Sequence, residues 1–359
     1  MPKESQQNSR PTPDADTVRR LLAEAGVAAE FALNPLSGGA NNRVFLVEAD
    51  GTKLLLKWYF QHPHDERDRL AAEFAFCRFA WDRGVRCVPE PLARDLGQHL
   101  ALYEFIEGRR LQQNEIGDEP VAAAIRFVDE LNQHRDHPEA SQLPDASEAC
   151  FSISEHLDCV ERRVNRLAGI RENTEVDRDT VQFVRSELVP RWQQVRSTAQ
   201  QAAGKSKQDV NRCLTPAERS LSPSDFGFHN ALMTPSGTVR FLDFEYAGHD
   251  DPAKLVCDFF AQVERPVPRR YFALFLTSLA AMSDRPDEFR VRACLLFPVY
   301  RLKWSCIALN EFLPTSQARR RFSGSGLDFE ERKQQQLDKA RVMLRELPDD
   351  ERFAPDISP

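Results

Sequence analysis

Between Ser224 and Gly248 the chain reads SDFGFHNALMTPSGTVRFLDFEYAG. Two carboxylates and one amide, Asp225, Asp243 and Asn230, stand there beside apolar residues that read as strand. A core strand has little use for such groups, because a buried charge is costly unless it is paired or binds a metal. Taken singly, each reads as a turn residue. The ordered set reads as a site, with hard oxygen ligands placed at strand ends where a cation and a phosphate could meet.

The rest of the chain divides into two parts. With 359 residues it is long enough for two domains or lobes. Arg43–Val47 and Lys53–Tyr59 are apolar runs separated by Asp50-Gly51-Thr52, a hairpin signal. Leu70, Phe74, Cys77 and Trp81 recur at helical spacing, and Gly84 is placed to end that helix. His99–Ile106 reads as another strand. The first hundred residues are thus a small sheet with one helix. After Gly108 the pattern turns helical: Val121, Ile125, Val128 and Leu131 make a stripe, and Ser152 with Glu155 forms a capping box. One helix is predicted over Thr180–Val195 with a bend at Pro190. Further helices follow from Pro252, and a charged surface helix is predicted over Leu327–Leu347.

Composition removes several function classes. The net charge is −7, which disfavours a general nucleic-acid binder. Arg319, Arg320 and Arg321 read as a solvated helix end. No stretch approaches the ~20 apolar residues of a membrane span, and the N-terminus has no apolar signal core. A cytoplasmic chain is expected. The eight cysteines form no C-x-x-C pair and read mostly as reduced core residues. His62 and His64 read as exposed loop residues rather than metal ligands.

Three further elements complete the pattern. Leu36–Asn42 is a glycine-bearing turn between strands, able to bring backbone N–H groups to phosphate oxygens, or simply a hairpin turn. Lys57 lies inside an apolar strand, and Glu73 sits on the following helix. A strand Lys held by a helix Glu is how an ammonium is fixed against nucleotide phosphates. The order is then Gly-rich turn, strand Lys, helix Glu, apolar linker strand, Asp-x4-Asn and strand-end Asp.

In that order the chain resembles the aminoglycoside phosphotransferase and choline kinase family of small-molecule kinases. The resemblance is carried by Ser37-Gly38-Gly39-Ala40-Asn41-Asn42, Lys57, Glu73, Tyr103–Gly108, Asp225–Asn230, Leu242–Gly248 and Asp251-Pro252. It implies an α+β, protein-kinase-like two-lobed fold, with a small β-rich N-lobe and a larger, mainly helical C-lobe. The expected divisions are a disordered segment 1–14, an N-lobe 15–106, a C-lobe 107–346 and a frayed acidic tail 347–359. A protein kinase is disfavoured, because Phe244-Glu245 follows Asp243 where Asp-Phe-Gly would stand and no activation segment intervenes before Pro252.

The resemblance implies ATP and Mg²⁺ as cofactors. The turn bearing Ser37, Gly38, Gly39 and Asn41 would cover the phosphates, and Lys57, held by Glu73, would contact them. Backbone groups of Glu104 and Ile106 would meet the adenine. Asn230 and Asp243 would hold the metal, and Asp225 would position a hydroxyl of a small-molecule acceptor. Glu245, Asp250 and Asp251 are expected to favour a cationic or polyhydroxy acceptor such as an amino alcohol, aminoglycoside or sugar. Asp251 is alternatively a cap for the helix beginning at Pro252. Arg301 and Lys303 are expected to pair with acids of the lobe, and His229 reads as loop packing. The family usually writes His-Gly-Asp where this chain has Pro223-Ser224-Asp225. That departure motivates a second reading, a kinase-like nucleotide-binding regulatory module with weak or no transfer.

Overall fold

The structure, a computed structural model, describes residues 12–27, 30–36, 42–61, 67–314 and 329–347. Its smaller part is a five-stranded antiparallel sheet in the order β1-β2-β3-β5-β4, formed by β1 (Ala32–Leu36), β2 (Arg43–Ala49), β3 (Thr52–Trp58), β4 (Pro91–Asp95) and β5 (Leu100–Glu104). Asp50 and Gly51 both adopt positive φ, of 49° and 74°, so β2 and β3 meet in the tight hairpin that Asp-Gly favours.

Strand periodicity decides what each face carries. Phe45, Val47, Leu54, Leu56, Leu100 and Leu102 point to one side and form a small core with Val18, Leu21 and Leu22 of α1 (Ala15–Glu24). Leu55, Tyr59, Ala101 and Tyr103 belong instead to the large core, together with Leu70, Phe74 and Cys77 of α2 (Arg69–Asp82). Lys57 shares the parity of Leu55 and Tyr59, so its side chain is directed toward α2. The sheet therefore has a helix on each face, one more than the sequence pattern suggested. Helix α1 was missed, and its cap is Asp14, the last residue of the segment expected to be disordered. Gly84, at φ 84°, follows the end of α2 as expected.

The larger part is helical. It comprises α3 (Asp118–Asn132), α4 (Ile153–Arg166), α5 (Glu175–Phe183), α6 (Val189–Lys205), α7 (Pro252–Ala261), α8 (Phe272–Ala281), α9 (Pro286–Ala308) and α10 (Phe329–Arg345). Helix α9 is its axis: α4, α6, α7, α8 and α10 all pack on it. The capping box at Ser152 and Glu155 is present. The helix predicted over Thr180–Val195 is two helices joined by a π-helical turn at Val184–Leu188, and Pro190 falls in the first turn of α6, where no N–H is needed. Helix α10 is less a surface helix than predicted, since Leu337, Ala340, Met343 and Leu344 are buried. Among the described residues no helix is long and apolar enough to cross a membrane.

Five short strands lie within the helical part: β6 (Arg109–Arg110), which comes from the linker, β7 (Ser220–Ser222), β8 (Ala231–Met233), β9 (Val239–Phe241) and β10 (Gly248–Asp250). They form the sheets β6-β8-β9 and β10-β7. The segment Ser224–Gly248 is thereby pinned at both ends, because Ser222 pairs with Gly248.

Candidate active site

Lys57 is the hub. Its Nζ lies 2.7 Å from Oε2 of Glu73 and 2.5 Å from Oδ1 of Asp243. One ammonium thus joins the β-sheet, α2 and the segment following β9. Burial alone would lower the Lys57 pKa, but the charges of Asp243 and Glu73 overcome it and hold it above the ordinary lysine value. Burial also lifts the Glu73 carboxyl above its usual value, with Lys57 opposing only in part. Glu73 is further fixed by the hydroxyl of Tyr59 at 2.8 Å and the N–H of Phe244 at 3.2 Å.

A hairpin brings Asn230 and Asp243 together. Asn230 immediately precedes β8, Asp243 follows β9, and Ala231 pairs with Phe241. The N–H of Leu242 donates to the carbonyl of Asn230 at 2.8 Å, closing the pair. The Nδ2 of Asn230 donates to the carbonyl of Asp225 at 3.0 Å, which fixes the orientation of the amide. Asp243 and Ser224 adopt φ of 68° and 64°, a left-handed conformation that costs a residue with a Cβ about 1–3 kcal/mol and is common at functional sites.

Asp225 is one turn away on the same loop. Its Oδ1 lies 3.2 Å from Nε2 of His229. Burial would raise the Asp225 pKa, but the hydrogen bond and charge of His229 keep it below the ordinary value. Burial pulls His229 the other way, and Asp225 holds it above the usual imidazole value. Phe226 and Phe228 alternate with these polar residues and point into the core. Phe226 packs on Phe127, Phe241 and Phe259 at centroid distances of 5.6, 5.0 and 5.1 Å. Phe244, beside Asp243, joins the same cluster through Phe76 and Phe127. The polar face is therefore mounted on an aromatic floor.

Three glycines leave no room for a Cβ as the chain stands: one at Gly248 would lie 2.2 Å from the carbonyl oxygen of Pro144, one at Gly108 2.9 Å from that of Met233, and one at Gly227 2.8 Å from Nδ1 of the His229 side chain.

Several expectations need correction. Glu245 is 2% exposed and accepts from Nδ2 of Asn42 at 2.5 Å, with Arg69 at 3.6 Å. Asp251 is fully buried, caps α7 through the N–H of Ala253 at 2.7 Å, and meets His156 at 2.9 Å and Arg292 at 2.5 Å. Asp250 is likewise buried against Lys254. Each of the three carboxylates is buried against a partner distant in sequence or one helical turn away. Arg301 and Lys303 pair with acids as expected, Glu346 and Asp258 respectively.

Glu104 and Ile106 stand at the linker. The N–H of Glu104 is committed to the carbonyl of Glu90 at 2.9 Å and its carboxylate to Arg240 at 2.6 Å, so its carbonyl is what it could offer a base. Ser37, Gly38, Gly39 and Asn41 lie outside the described residues, as do His62, His64 and Arg319–Arg321. Sequence reasoning gave Tyr59 no role beyond its strand, Asn42 none beyond the turn that carries the resemblance, and His229 only a packing role. The available signal for His229 was its i,i+4 spacing from Asp225 across a tight turn.

The profile of the phosphotransferase enzyme family matches residues 32–294. The chain belongs to that family. As a phosphotransferase its fold is that of small-molecule kinases. Spectinomycin phosphotransferase APH(9)-Ia, solved with ADP and spectinomycin, superposes with a TM-score of 0.60 at 12% identity, covering 93% of this chain and 99% of that one. The choline kinase of Cryptosporidium parvum Iowa II gives 0.55 at 11% identity, covering 93% and 96%. The choline kinase LicA of Streptococcus pneumoniae gives 0.55 at 15% identity, covering 92% and 98%. No curated protein matches the chain by sequence.

Proposed function

We propose that this phosphotransferase moves the γ-phosphate of ATP to a hydroxyl of a small molecule, with Mg²⁺ as its resident ion. The observation that supports this most is the bridging of Glu73 and Asp243 by Lys57, with Asp225 and Asn230 on the adjoining loop.

The residues present fit a magnesium ion. Asn230 offers an amide oxygen and Asp243 a carboxylate whose side chain is 41% exposed. Among the described residues no group of three or more His, Cys, Asp or Glu gathers as a metal cage. A small oxygen donor set suits Mg²⁺, which keeps waters and takes substrate phosphates as ligands. When bound, the ion would neutralise charge on the phosphate oxygens.

The chain's own residues supply the rest. Lys57, held by Glu73, would contact the phosphates, as Ser37, Gly38, Gly39 and Asn41, which lie outside the described residues, are expected to do from the sequence. The carbonyl of Glu104 and the N–H of Ile106 meet the adenine edge. Asp225 accepts a hydrogen bond from the acceptor hydroxyl and orients it for in-line attack. A carboxylate with a lowered pKa is a weak base, but phosphoryl transfer depends mainly on positioning and charge neutralisation.

The chain does not need the family's usual His to hold this loop. Ser222 Oγ accepts from the N–H of Ser224 at 3.0 Å, β7 is paired to β10, and His229 holds the Asp225 side chain. The reading of an inactive module therefore gains no support from Pro223.

The test is transfer of label from γ-labelled ATP, with Mg²⁺ and a small-molecule extract, into a low-mass product. Asp225→Ala should lower kcat by about 10²-fold or more. Near wild-type turnover in that variant would remove Asp225 from its role.

A further inference from the structure

We infer that the acceptor of this phosphotransferase carries an anionic group, a carboxylate or a phosphate, which Arg110 binds beside the catalytic loop. The inference rests on the kinase reading and adds the chemical class of its substrate.

The first observation is the state of the acids. A carboxylate can hold a cationic ligand only where it faces that ligand and is not already spent on a buried partner. Here Glu245, Asp250, Asp251 and Asp258, the acids nearest the loop on the helical side, are all buried and neutralised. Their partners are Asn42 with Arg69, Lys254, His156 with Arg292, and Lys303 with the indole of Trp304. Releasing any one of them to meet a substrate cation would strand a buried partner charge.

The second observation concerns the rim. Three acids on the segments flanking the loop are engaged with cations: Glu107 with Lys53 at 2.7 Å, Glu115 with Arg109 at 2.6 Å and Glu264 with Lys339 at 2.9 Å. Two arginines are not so paired. The Nη1 of Arg110 donates to the carbonyl of His229 at 3.0 Å, and Nε of Arg265 donates to the carbonyl of Leu111 at 3.1 Å. Neither guanidinium has a carboxylate at ion-pair distance among the described residues. Arg110 spends one N–H in this way, and Arg265 spends a second on the carbonyl of Glu264 at 3.1 Å, so Arg110 keeps the larger share of its fork for an anion.

The third observation is position. His229, whose carbonyl holds Arg110, reaches Asp225 with its ring. Gln262 ties the Arg265 loop to the same place: it bonds the N–H of Arg265 at 3.1 Å, and its Cγ lies 3.3 Å from where a Gly227 Cβ would be. Both arginines thus border the loop on which the acceptor hydroxyl must sit, and a planar fork suits carboxylate or phosphate oxygens.

The experiment separates small-molecule extracts of a bacterium and a yeast by ion exchange into cationic, neutral and anionic pools. Each pool is incubated with γ-labelled ATP, Mg²⁺ and the full chain, with Asp225→Asn as control. Label should enter a product only from an anionic pool. Pretreating that pool with a phosphatase tells the sources apart: lost acceptance means a phosphate, retained acceptance a carboxylate. With the purified acceptor, Arg110→Glu should raise KM at least about tenfold with kcat within about threefold, and Arg110→Lys should recover part of the loss. Acceptance confined to the cationic or neutral pool would overturn the inference and leave the kinase reading intact. An unchanged KM in Arg110→Glu would also overturn it. No transfer from any pool would overturn the kinase reading and this inference with it.

Discussion

The ring of His229 holds the carboxylate of Asp225 at 3.2 Å, and the peptide of His229 runs straight into Asn230. One short turn therefore sets the direction of the candidate acceptor-orienting group and the position of a candidate metal ligand. His229→Ala should lower kcat by up to about 10²-fold, because a small misplacement of a positioned group is costly. His229→Gln, which keeps a donor, should retain more activity than Ala. Steady-state kinetics decide it, and two variants equal to wild type would make the contact dispensable.

Lys57 serves stability as well as phosphate contact. Lys57→Met leaves the buried Glu73 and the adjoining Asp243 without their shared cation. Breaking a buried pair in this way typically costs about 3–5 kcal/mol. Chemical denaturation should show a loss of that order together with loss of transfer, whereas Asp243→Ala, at a more exposed position, should abolish transfer with a smaller loss of stability.

The close approach at Gly248 makes a separate structural prediction. Gly248→Ala places a methyl within 2.2 Å of the Pro144 oxygen and 2.7 Å of the Ala146 nitrogen, both backbone atoms that cannot swing away. Overpacking of this kind costs about 1–3 kcal/mol. The melting temperature should fall, and because β10 is the partner of β7, activity should fall with it.

Stability should decline on the acid side in two steps. Burial depresses the His156 pKa below 6.5, so as pH falls through that value the unfolded chain takes up its proton first and folding loses stability. Asp251 follows lower down. Burial opposes ionisation there, but Arg292 and His156 hold its pKa below 3.8, so its contribution is present above that value and is lost as pH falls through it. The groups facing His156 are Tyr300, Asp251, Arg292 and Lys254. His156→Gln should flatten the first step and leave the second, as read by denaturant midpoints across pH. An unaltered slope near pH 6 would show that other groups set it.

The hub was legible in the sequence because it follows from local rules. Strand parity sends Lys57 to the same side as Tyr59, and the next helix is the element that covers that side. The pairing of Asn230 with Asp243 was legible for the same reason, since a hairpin brings its flanks together. The cap that Asp251 makes was legible from its place before Pro252, but the ion-pair and hydrogen-bond partners of Glu245 and Asp251 were not, because tertiary packing sets them: Asn42 lies 203 positions from Glu245, and Arg292 lies 41 from Asp251. Charge counted along a sequence does not show which charges are already spent on one another. Helix α1 was missed because its apolar face is only three residues, Val18, Leu21 and Leu22, too few to stand out beside a polar N-terminal segment.

Phe226, Phe228, Phe241 and Phe244 give the loop a rigid underside that carries no information about the acceptor. The residues that would meet an acceptor stand on the rim, where Arg110 reaches the loop through the carbonyl of His229. A chain built this way can exchange one substrate for another by rewriting a few rim side chains, while the machinery that handles the phosphate is inherited unchanged.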